Sequence, residues 1–480
     1  MFFYKYWICI SLVFVCIHLK AQCSIDTSQI KIQTEYFDNP AFGNFLSLRK
    51  DRLGRDLLYA TSKDGGLKIF STTSTVPQLI QQMNAATFGS RDVIFIQQEG
   101  AYVYLSLGDI WNTNETVGFA ILDVSNPAQI KIADTLFLDA MPGGGAAIYI
   151  DGDLAYLAGM SNGLIILDIK DKRNIQFVSQ LKFGNDFPHK DSSNATAYNA
   201  RGIWVKDQYA YVCYDRGGLR VVDVSKPDSP KEVSKYCFSN LINYATAYNH
   251  IIIDHHLAYV SIDYYGMEIL DISNPLNIRH KAWWHPEDWA PATNDFNTWA
   301  ASKGHANEIA YDPICNLIYL SAGKSDAVIV DVKNPSNPQT CGIVGSAADD
   351  YGTWGLDYFD EKIYLSYIWS PFFPPHSNYT GFRVYEIPAC TITNSQNDKQ
   401  LSDDLAKISF GPDGIINIQV QNYTPSLKVK IFSTLGHLVY SKSFSTMYQL
   451  NFNPHLSNAV YYISLETNHR ISTQPILISN

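Results

Sequence analysis

A short pattern that returns along most of the chain constrains the fold more than any other feature of the sequence. The clearest copy begins at Arg201 and contains four short apolar stretches separated by turn residues, such as those at 206–208 and 215–217. Short runs of this kind, bounded by turn residues, are typical of β-strands. The third stretch of the unit recurs from Gly66, Gly118, Gly163, Gly218, Gly266, Ala327 and Gly381. The sequence therefore predicts about seven units of four strands, spaced roughly 45 to 60 residues apart.

Units of this size and number are typical of the blades of a β-propeller. We therefore predict an all-β chain in which residues 30–393 form a propeller of about seven blades. The last unit stops after its third strand at Pro388, whereas Ile30–Phe37 resembles a fourth strand with no strands before it. We expect this N-terminal segment to complete the last blade, because closure of the ring removes open sheet edges.

The recurring third stretch also carries a family resemblance. It reads Leu-Ile-Ile-Leu-Asp at 164–168, Leu-Arg-Val-Val-Asp at 219–223 and Val-Ile-Val-Asp at 328–331. These segments resemble the LVIVD repeat, a β-propeller repeat of exported bacterial and archaeal proteins. The resemblance implies the propeller fold and no particular activity, because propellers host unrelated functions. We expect the aspartate of the repeat to bond nearby backbone amides in a turn, not to catalyse.

The N-terminus has the order of a secretory signal. A segment containing Lys5 precedes the apolar stretch Trp7–Leu19, and a short polar segment follows it. We predict that residues 1–22 are a signal peptide removed on export. A transmembrane anchor is the competing interpretation, but the apolar stretch is shorter than the ~18–20 residues that span a bilayer. Lipidation of Cys23 is disfavoured by the polar residues that precede it.

The C-terminal part of the chain differs from the repeats. Residues 394–407 are polar and are predicted to be a linker, and residues 408–480 are predicted to form a small β-sandwich. Within it, Val429–Tyr440 and Leu456–Leu465 resemble the C-terminal (type A) sorting domain of the type IX secretion system of certain Gram-negative bacteria. The resemblance implies a secreted or outer-surface protein delivered by outer-membrane secretion machinery. The alternative is an accessory sandwich without a sorting role.

The charge of the chain argues against a nucleic-acid partner. The formal net charge is −10, the isoelectric point is near 5.6, and no run of Lys and Arg is present. Proteins that bind nucleic acids normally offset the phosphate charge with a clustered basic surface. We therefore predict no nucleic-acid binding.

Two cysteine predictions follow from the strand assignment. Cys213 lies on the second strand and Cys237 on the fourth strand of one unit, which places them about 9 to 10 Å apart, too far for a disulfide. We predict that both are free thiols. Cys390 follows the third strand of the last blade and Cys23 precedes the strand expected beside it, so Cys23–Cys390 is the candidate disulfide that would lock the closure.

The long connections fall on one face of the predicted propeller. This long-loop face carries the second-to-third strand turns and the blade-to-blade connections, and the opposite, short-loop face carries the other turns. Long loops on a rigid scaffold are where recognition usually resides, and their aromatic rings suit sugars or peptides. The predicted binding residues are Trp111, Trp284, His285, Trp289, Trp299, Trp369, Phe372 and His376. The alternative is that these rings only pack the loops onto the propeller.

The sequence gives no positive support for catalysis. It contains no Gly-rich phosphate loop, no G-x-S-x-G elbow and no zinc signature, so no catalytic or metal-ligating residue is predicted. Ca²⁺ is the one cofactor to consider, because carboxylate pairs occur at 287–288 and 349–350. We predict an exported propeller that binds a protein or glycan partner through its long-loop face. Two alternatives stay open, an extracellular hydrolase or lyase with acidic residues at the propeller axis and a structural surface protein without a discrete ligand.

Overall fold

The computed structural model of the chain describes residues 23–39, 43–111, 114–188, 198–244, 246–286, 306–322, 326–345, 352–369, 377–388, 390, 406–410, 415–420, 426–433, 438–445, 449–454, 456, 459–466 and 471–478. Structural statements below concern these residues. The predicted signal peptide, residues 1–22, lies outside them and stays a prediction.

Strand β1 spans Lys31–Asp38 and is followed by antiparallel four-stranded sheets in chain order, which we number as blades. Blade 1 contains β2 (Leu48–Lys50), β3 (Leu57–Thr61), β4 (Leu67–Ser71) and β5 (Gln78–Met83). Blade 2 contains β6 (Val93–Glu99), β7 (Tyr102–Leu107), β8 (Thr116–Asp123) and β9 (Lys131–Pro142). Blade 3 contains β10 (Ala147–Asp151), β11 (Leu154–Ala158), β12 (Leu164–Asp168) and β13 (Gln176–Leu181). Blade 4 contains β14 (Gly202–Lys206), β15 (Tyr209–Cys213), β16 (Leu219–Asp223) and β17 (Lys231–Tyr236).

The remaining blades follow the same order. Blade 5 contains β18 (Ala247–Asp254), β19 (Leu257–Asp263), β20 (Met267–Asp271) and β21 (Arg279–Trp284). Blade 6 contains β22 (Ala306–Asp312), β23 (Leu317–Ala322), β24 (Ala327–Asp331) and β25 (Gln339–Val344). Blade 7 contains β26 (Gly352–Phe359), β27 (Lys362–Ile368) and β28 (Thr380–Glu386) together with β1. Short 3₁₀ helices lie at Thr27–Gln29, Ala85–Phe88 and Ser239–Leu241.

The ring closes as the sequence predicts. Strand β1 pairs antiparallel with β28, from Lys31 opposite Glu386 to Asp38 opposite Thr380. The first strands of the blades contact one another in order around the ring, and β26 contacts β2. The prediction of a β-propeller of about seven blades is therefore confirmed, with seven four-stranded sheets in the described part of the propeller.

The third strand of each blade explains the repeat. In β12 the four aliphatic residues are fully buried and only Asp168 is partly exposed, because a central strand of a blade packs against both neighbouring blades. Asp168 Oδ1 accepts a hydrogen bond from the backbone N–H of Lys170 at 2.8 Å, and Asp223 Oδ1 accepts one from Ser225 at 2.9 Å. The expectation that the repeat aspartate forms a turn is confirmed.

Hydroxyl groups on second strands fasten neighbouring blades together near the axis. Ser106 Oγ accepts a hydrogen bond from Phe95 N–H at 3.1 Å within blade 2 and donates one to the Gly145 carbonyl, next to blade 3, at 2.8 Å. The same two-sided bonding is made by Thr61, Ser261 and Ser366. These bonds fix the positions of the innermost strands relative to one another.

Buried ion pairs join blade 7 to its two neighbours. Lys68 Nζ of blade 1 lies 2.5 Å from Asp38 Oδ2 of β1. On the other side, Arg383 Nη1 of β28 lies 3.1 Å from Asp326 Oδ2, which precedes β24 of blade 6. Blade 7, which is assembled from both ends of the propeller chain, is thus held on both flanks by specific charges.

The disulfide prediction is wrong in its pairing. The structure joins Cys23 to Cys341 and Cys315 to Cys390, with Cα–Cα distances of 5.3 and 5.7 Å. The segment before β1 contacts β25 of blade 6 through Thr27–Gln29, so Cys23 lies beside blade 6 and not beside the end of β28. Cys213 and Cys237 are free thiols, as predicted.

A separate pair of sheets forms the C-terminal region. One sheet contains β29 (Ala406–Phe410), β30 (Ile416–Val420) and β33 (Gln449–Phe452), in the order β29-β30-β33. The other contains β31 (Ser426–Ser433), β32 (Leu438–Ser445), β34 (Ala459–Glu466) and β35 (Ile471–Ile478), in the order β32-β31-β34-β35. Ile418 of the first sheet and Ile431 and Ile463 of the second belong to one buried core. The predicted small β-sandwich is therefore present.

Candidate functional site

The predicted binding residues divide into two groups. Trp111, Trp284, His285 and Trp369 lie in the described part of the chain. Trp289, Trp299, Phe372 and His376 lie outside the described residues, as do the carboxylate pairs at 287–288 and 349–350. The binding role of those four and the possible Ca²⁺ site stay predictions. Among the described residues, no group of three or more His, Cys, Asp or Glu side chains could hold a metal ion.

Trp284 is not an exposed loop aromatic. It is the last residue of β21, its side chain is only 6% exposed, and its Nε1–H donates to Thr340 Oγ1 of blade 6 at 3.0 Å. The expectation that Trp284 is available to a ligand is therefore wrong, because the fourth strand extends further than the sequence suggested and carries the ring into the core between blades 5 and 6.

His285 and Trp369 lie at the bases of their loops. His285 is partly exposed, and its ring packs 4.5 Å from that of Trp283. Trp369 is partly exposed, and its backbone N–H donates to Asn44 Oδ1 at 2.7 Å. Both residues therefore follow strands that hold them on the long-loop face.

Trp111 is the exposed aromatic that the long-loop face holds in a defined orientation. Its side chain is 49% exposed, and its backbone N–H donates to Asp109 Oδ1 at 2.7 Å. The Lys63 ammonium lies 4.8 Å from the centre of the Trp111 ring and 3.0 Å from Asp92 Oδ2. The ring of Trp354, from β26, lies 5.6 Å away. Residues from blades 1, 2 and 7 thus orient one exposed indole.

The surroundings of Trp111 are acidic. Burial raises the pKa of Asp92, repulsion from Asp109 acts in the same direction, and the Lys63 ammonium opposes both. Burial also raises the pKa of Glu115, whose Oε2 accepts a hydrogen bond from the Asp92 backbone N–H at 2.9 Å. Asp92 and Glu115 therefore hold protons more tightly than exposed carboxyl groups do.

The strand pairing defines two rings of residues on the innermost strands. Each blade has a buried tyrosine on its second strand, namely Tyr59, Tyr104, Tyr156, Tyr211, Tyr259, Tyr319 and Tyr364. The residues paired with these tyrosines form the lower ring, Arg49, Gln97, Tyr149, Trp204, Ile252, Ala310 and Asp357. The residues two positions earlier form the upper ring, Ser47, Phe95, Ala147, Gly202, His250, Glu308 and Gly355. Because side chains two apart on a strand share a face, both rings border the axis, with the lower ring nearer the short-loop face.

The upper ring places three large side chains on the axis. The rings of Phe95 from blade 2 and His250 from blade 5 lie 6.5 Å apart, so they meet across the channel. Burial lowers the pKa of His250 to about 4, and the charge of Arg49 acts in the same direction. Burial raises the pKa of Glu308 to about 7, although the Leu356 N–H, 3.0 Å from Glu308 Oε2, favours the ionised form. His250 is therefore neutral at pH 7, and Glu308 is close to half-protonated.

The lower ring has an ionic side and an aromatic side. On the ionic side, Asp357 Oδ1 lies 2.7 Å from Arg49 Nη1 and 2.5 Å from Arg52 Nη2. Burial opposes the ionisation of Asp357, but the two guanidinium groups hold its pKa below the usual value. On the aromatic side, the rings of Tyr149 and Trp204 lie 5.0 Å apart, and both are partly exposed.

The sequence interpretation missed the two rings, although it contained a signal for them. The tyrosine of the second strand recurs in every unit, and in blade 4 only Asp207 and Gln208 separate β14 from β15. Counting residues back from Tyr211 across this two-residue turn places Trp204 opposite it on β14. An aromatic or charged residue opposite the repeat tyrosine, within an otherwise aliphatic strand, would have identified the lower ring.

Comparisons with known proteins agree with this architecture. Residues 99–135, 142–181, 198–237, 251–280 and 316–345 match the LVIVD repeat, and residues 412–479 match the secretion system C-terminal sorting domain. The five matched repeats fall in blades 2 to 6. No curated protein matches the sequence.

Two solved structures resemble the propeller at low sequence identity. The β-propeller domain of Myceliophteria thermophila Cps50 (Swd1) is 8% identical, with a TM-score of 0.51 over 74% of this chain and 99% of that one. The WD40 repeats of RRP9 are 10% identical, with a TM-score of 0.50 over 76% of this chain and 99% of that one. At these identities the likeness concerns the fold alone.

The fold and the C-terminal domain define an exported β-propeller protein, because the sorting domain indicates secretion or delivery to the cell surface. The chain is an LVIVD-repeat β-propeller protein with a C-terminal type IX sorting domain. No helix in the described segments is long and apolar enough to cross a membrane.

Proposed function

We propose that this exported propeller binds a macromolecular partner, a protein or a glycan, through its long-loop face, with Trp111 as the central contact. The observation that supports the proposal is the fixed orientation of an indole that is 49% exposed. Asp109 holds its backbone, Lys63 lies over its ring, and Trp354 packs beside it. An aromatic ring that is ordered before binding loses little entropy when a partner covers it, and Trp is the residue type most enriched among binding hot spots.

The contact can be tested with arrays of glycans and of surface proteins. The purified chain is compared with Trp111→Ala and with a matched control, Phe177→Ala, on the outer strand of blade 3, where the ring is 44% exposed. We expect Trp111→Ala to weaken partner binding by about 2 kcal/mol, roughly 30-fold, and Phe177→Ala to leave it unchanged. Equal binding by both variants, or no binding by the unmodified chain, would contradict the proposal.

A second candidate function, an extracellular hydrolase or lyase, is favoured by one observation. The pKa of Glu308, about 7, is suited to a general acid or base near neutral pH. The nearby carboxylate of Asp357 is bound to two arginines and kept ionised, so the two carboxyl groups differ in protonation as an acid and base pair would. Release of product from polysaccharide or peptide substrates by the unmodified chain, and not by Glu308→Gln, would establish this function. No turnover by either form would exclude it for those substrates.

A further inference from the structure

We propose that the short-loop end of the axial channel is a second binding site, which takes an uncharged, hydroxyl-bearing ring such as a neutral sugar residue. This site is separate from the proposed long-loop contact, and its walls are the lower-ring side chains. Five of these, Arg49, Gln97, Tyr149, Trp204 and Ile252, are partly exposed although they lie on the innermost strands. Solvent therefore reaches them along the channel.

In the described part of the chain, the connections around this opening are short. The connections between the first and second strands border it, and each is described and spans six residues or fewer, at 51–56, 100–101, 152–153, 207–208, 255–256, 313–316 and 360–361. Connections of this length turn directly from one strand to the next. At the inner end, Phe95 and His250 meet across the axis. The site is therefore a recess that opens on the short-loop face and ends at these two rings.

The aromatic side supplies the surface on which a sugar ring can stack. Tyr149 and Trp204 lie side by side on blades 3 and 4, with ring centres 5.0 Å apart and planes inclined at 49°. Both belong to rigid strands whose partners, Tyr156 and Tyr211, are buried. Flat faces held in this way fit the apolar face of a pyranose, because stacking buries area without ordering a loop.

Polar side chains on the other blades supply hydrogen-bonding groups. Gln97 is partly exposed beside the aromatic pair on the neighbouring blade. The Nε of Arg49 and the Nδ1 of His250 are buried, and each lacks a hydrogen-bond partner within the described chain. Buried polar groups almost always find a partner. Arg49 and His250 lie close enough to interact electrostatically, and their two unpartnered nitrogens are the groups that hydroxyl groups of a ligand would satisfy.

The charges favour a neutral ligand. Inside the recess the carboxylate of Asp357 is shared by the guanidinium groups of Arg49 and Arg52, and the carboxyl group of Glu308 lies close to Arg49, so these charges largely offset one another. At the rim, two residues beyond the lower ring, Glu99 and Asp151 are exposed and acidic. Burial raises the pKa of Glu99, and repulsion from Asp151 adds to this effect. A carboxylate-bearing sugar would meet this acidic rim, whereas its neutral counterpart would not.

The experiment measures sugar binding by the purified full-length chain with calorimetry and saturation-transfer NMR. The probes are the methyl glycosides of glucose, galactose, mannose and N-acetylglucosamine, each hexose paired with its uronic acid where one exists. We expect at least one neutral glycoside to bind at millimolar concentration and its uronic acid to bind about tenfold more weakly. Trp204→Ala should lower the affinity at least about tenfold, and Trp204→Phe should retain most of it.

Phe177→Ala is the matched control, because it removes an exposed aromatic ring from the outer strand of blade 3, outside both proposed sites. We expect it to leave glycoside binding unchanged. Absence of binding by every neutral glycoside, loss with Trp111→Ala but not with Trp204→Ala, or equal binding of the uronic acids would each overturn the proposal. Folding of each variant is checked by its thermal unfolding profile, and the Trp204→Phe form keeps the test valid if Trp204→Ala does not fold. If Trp204→Ala weakens glycoside binding and Trp111→Ala leaves binding to the arrays unchanged, the short-loop site is supported and the proposed long-loop function is not.

Discussion

The two sides of the lower ring differ in what their side chains do. On the side of blades 3 and 4, Tyr149 and Trp204 come from blades adjacent in sequence, and each is partly exposed. On the side of blades 7 and 1, Asp357 binds Arg49, and 308 residues separate them along the chain. The aromatic side is thus partly exposed to solvent, whereas on the ionic side the carboxylate of Asp357 is buried and paired with Arg49 and Arg52.

The difference follows from where the ring closes. Blades 3 and 4 are joined by the chain itself, so packing of aliphatic strands suffices there. In blade 7, β1 is followed directly by β2 of blade 1, but no chain link joins β1 to β28. Strands β26–β28 are held to β1 by strand pairing and to blade 1 by the Arg49–Asp357 pair, while Cys23–Cys341 fastens the chain start to blade 6. Ion pairs with fixed partners and disulfides select one arrangement of the closing strands, whereas apolar packing alone would allow several.

The largest expected effect is loss of the closing ion pair. Asp357→Asn leaves Arg49 and Arg52, which are 14% and 15% exposed, without a carboxylate, and we expect it to lower the free energy of unfolding by about 3–5 kcal/mol. Urea unfolding followed by tryptophan fluorescence measures this, since every tryptophan lies before residue 370 and the signal reports the propeller alone. Asp360→Asn, in an exposed turn, is the control and should change stability by less than about 0.5 kcal/mol. Equal stability of the two variants would show that the ionic side is dispensable.

The next effect is loss of the disulfide at the chain start. Replacing Cys23 and Cys341 by Ser opens a loop of 318 residues, and we expect a loss of about 2–4 kcal/mol in the free energy of unfolding. Replacing Cys315 and Cys390, which close a loop of 75 residues, should cost about 1 kcal/mol less, because loop entropy grows with length. Thermal unfolding with and without reductant measures both; a larger loss for the shorter loop would count against the entropic explanation.

A smaller effect is expected from pH. The pKa of Glu308 is about 7 in the folded chain against 4.5 as its ordinary value. Between these values the folded state keeps a proton that the unfolded state has released, so stability falls as pH rises from about 4.5 to about 7 and stays lower above it. Glu308→Gln should remove about 1–3 kcal/mol of this decrease.

The effect of Glu308 must be measured as the difference in stability between two proteins, because the lowered pKa of His250 changes stability with pH in the opposite direction. Its pKa is lowered to about 4, so it costs stability as pH falls from about 6.5 towards 4. Urea unfolding of the unmodified chain and of Glu308→Gln at pH 5 and pH 7.5 isolates the glutamate. Parallel changes in both proteins would mean that Glu308 is ionised in the channel at both pH values.

The smallest effect is the coupling on the aromatic side. A double-mutant cycle with Tyr149→Leu and Trp204→Leu should give an interaction energy of about 0.5–1.5 kcal/mol. The corresponding cycle with Arg49→Met and Asp357→Asn should give a larger value, because both partners are charged and Asp357 is buried. A larger interaction energy in the aromatic cycle than in the ionic cycle would contradict this order of the two sides.

The sequence predicted the propeller and its closure because both depend on local patterns. The glycine that opens the third strand in six of the seven blades, the apolar run and, in blades 2 to 6, its aspartate recur at blade spacing, and Ile30–Phe37 resembles a fourth strand. The sorting domain was recognisable for the same reason, from contiguous segments such as Val429–Tyr440. These features can be recognised in the sequence without knowledge of any contact between distant segments.

The errors and omissions concern contacts between distant segments. Cys23 pairs with Cys341 because the segment before β1 runs beside blade 6, a path that strand assignment alone does not give. Trp284 was expected in a loop, but β21 extends as far as Trp284 and includes it as its last residue. The shifted pKa of Glu308 depends on Leu356, Arg49 and the closed ring around them, so it appears only after the blades are assembled. Trp111 was identified from the sequence, but its orientation by Lys63 and Trp354 was not.

The central claim is that Trp111 contacts a partner when the protein reaches its destination. Hydroxyl-radical footprinting of the protein on the surface of cells that export it, compared with the purified chain, tests this most directly. The oxidation rate of Trp111 is measured relative to that of Phe177, since the two rings are 49% and 44% exposed. We predict that Trp111 is protected on the cell surface while Phe177 is oxidised at the same rate in both preparations. Equal oxidation of Trp111 in both preparations would contradict the account.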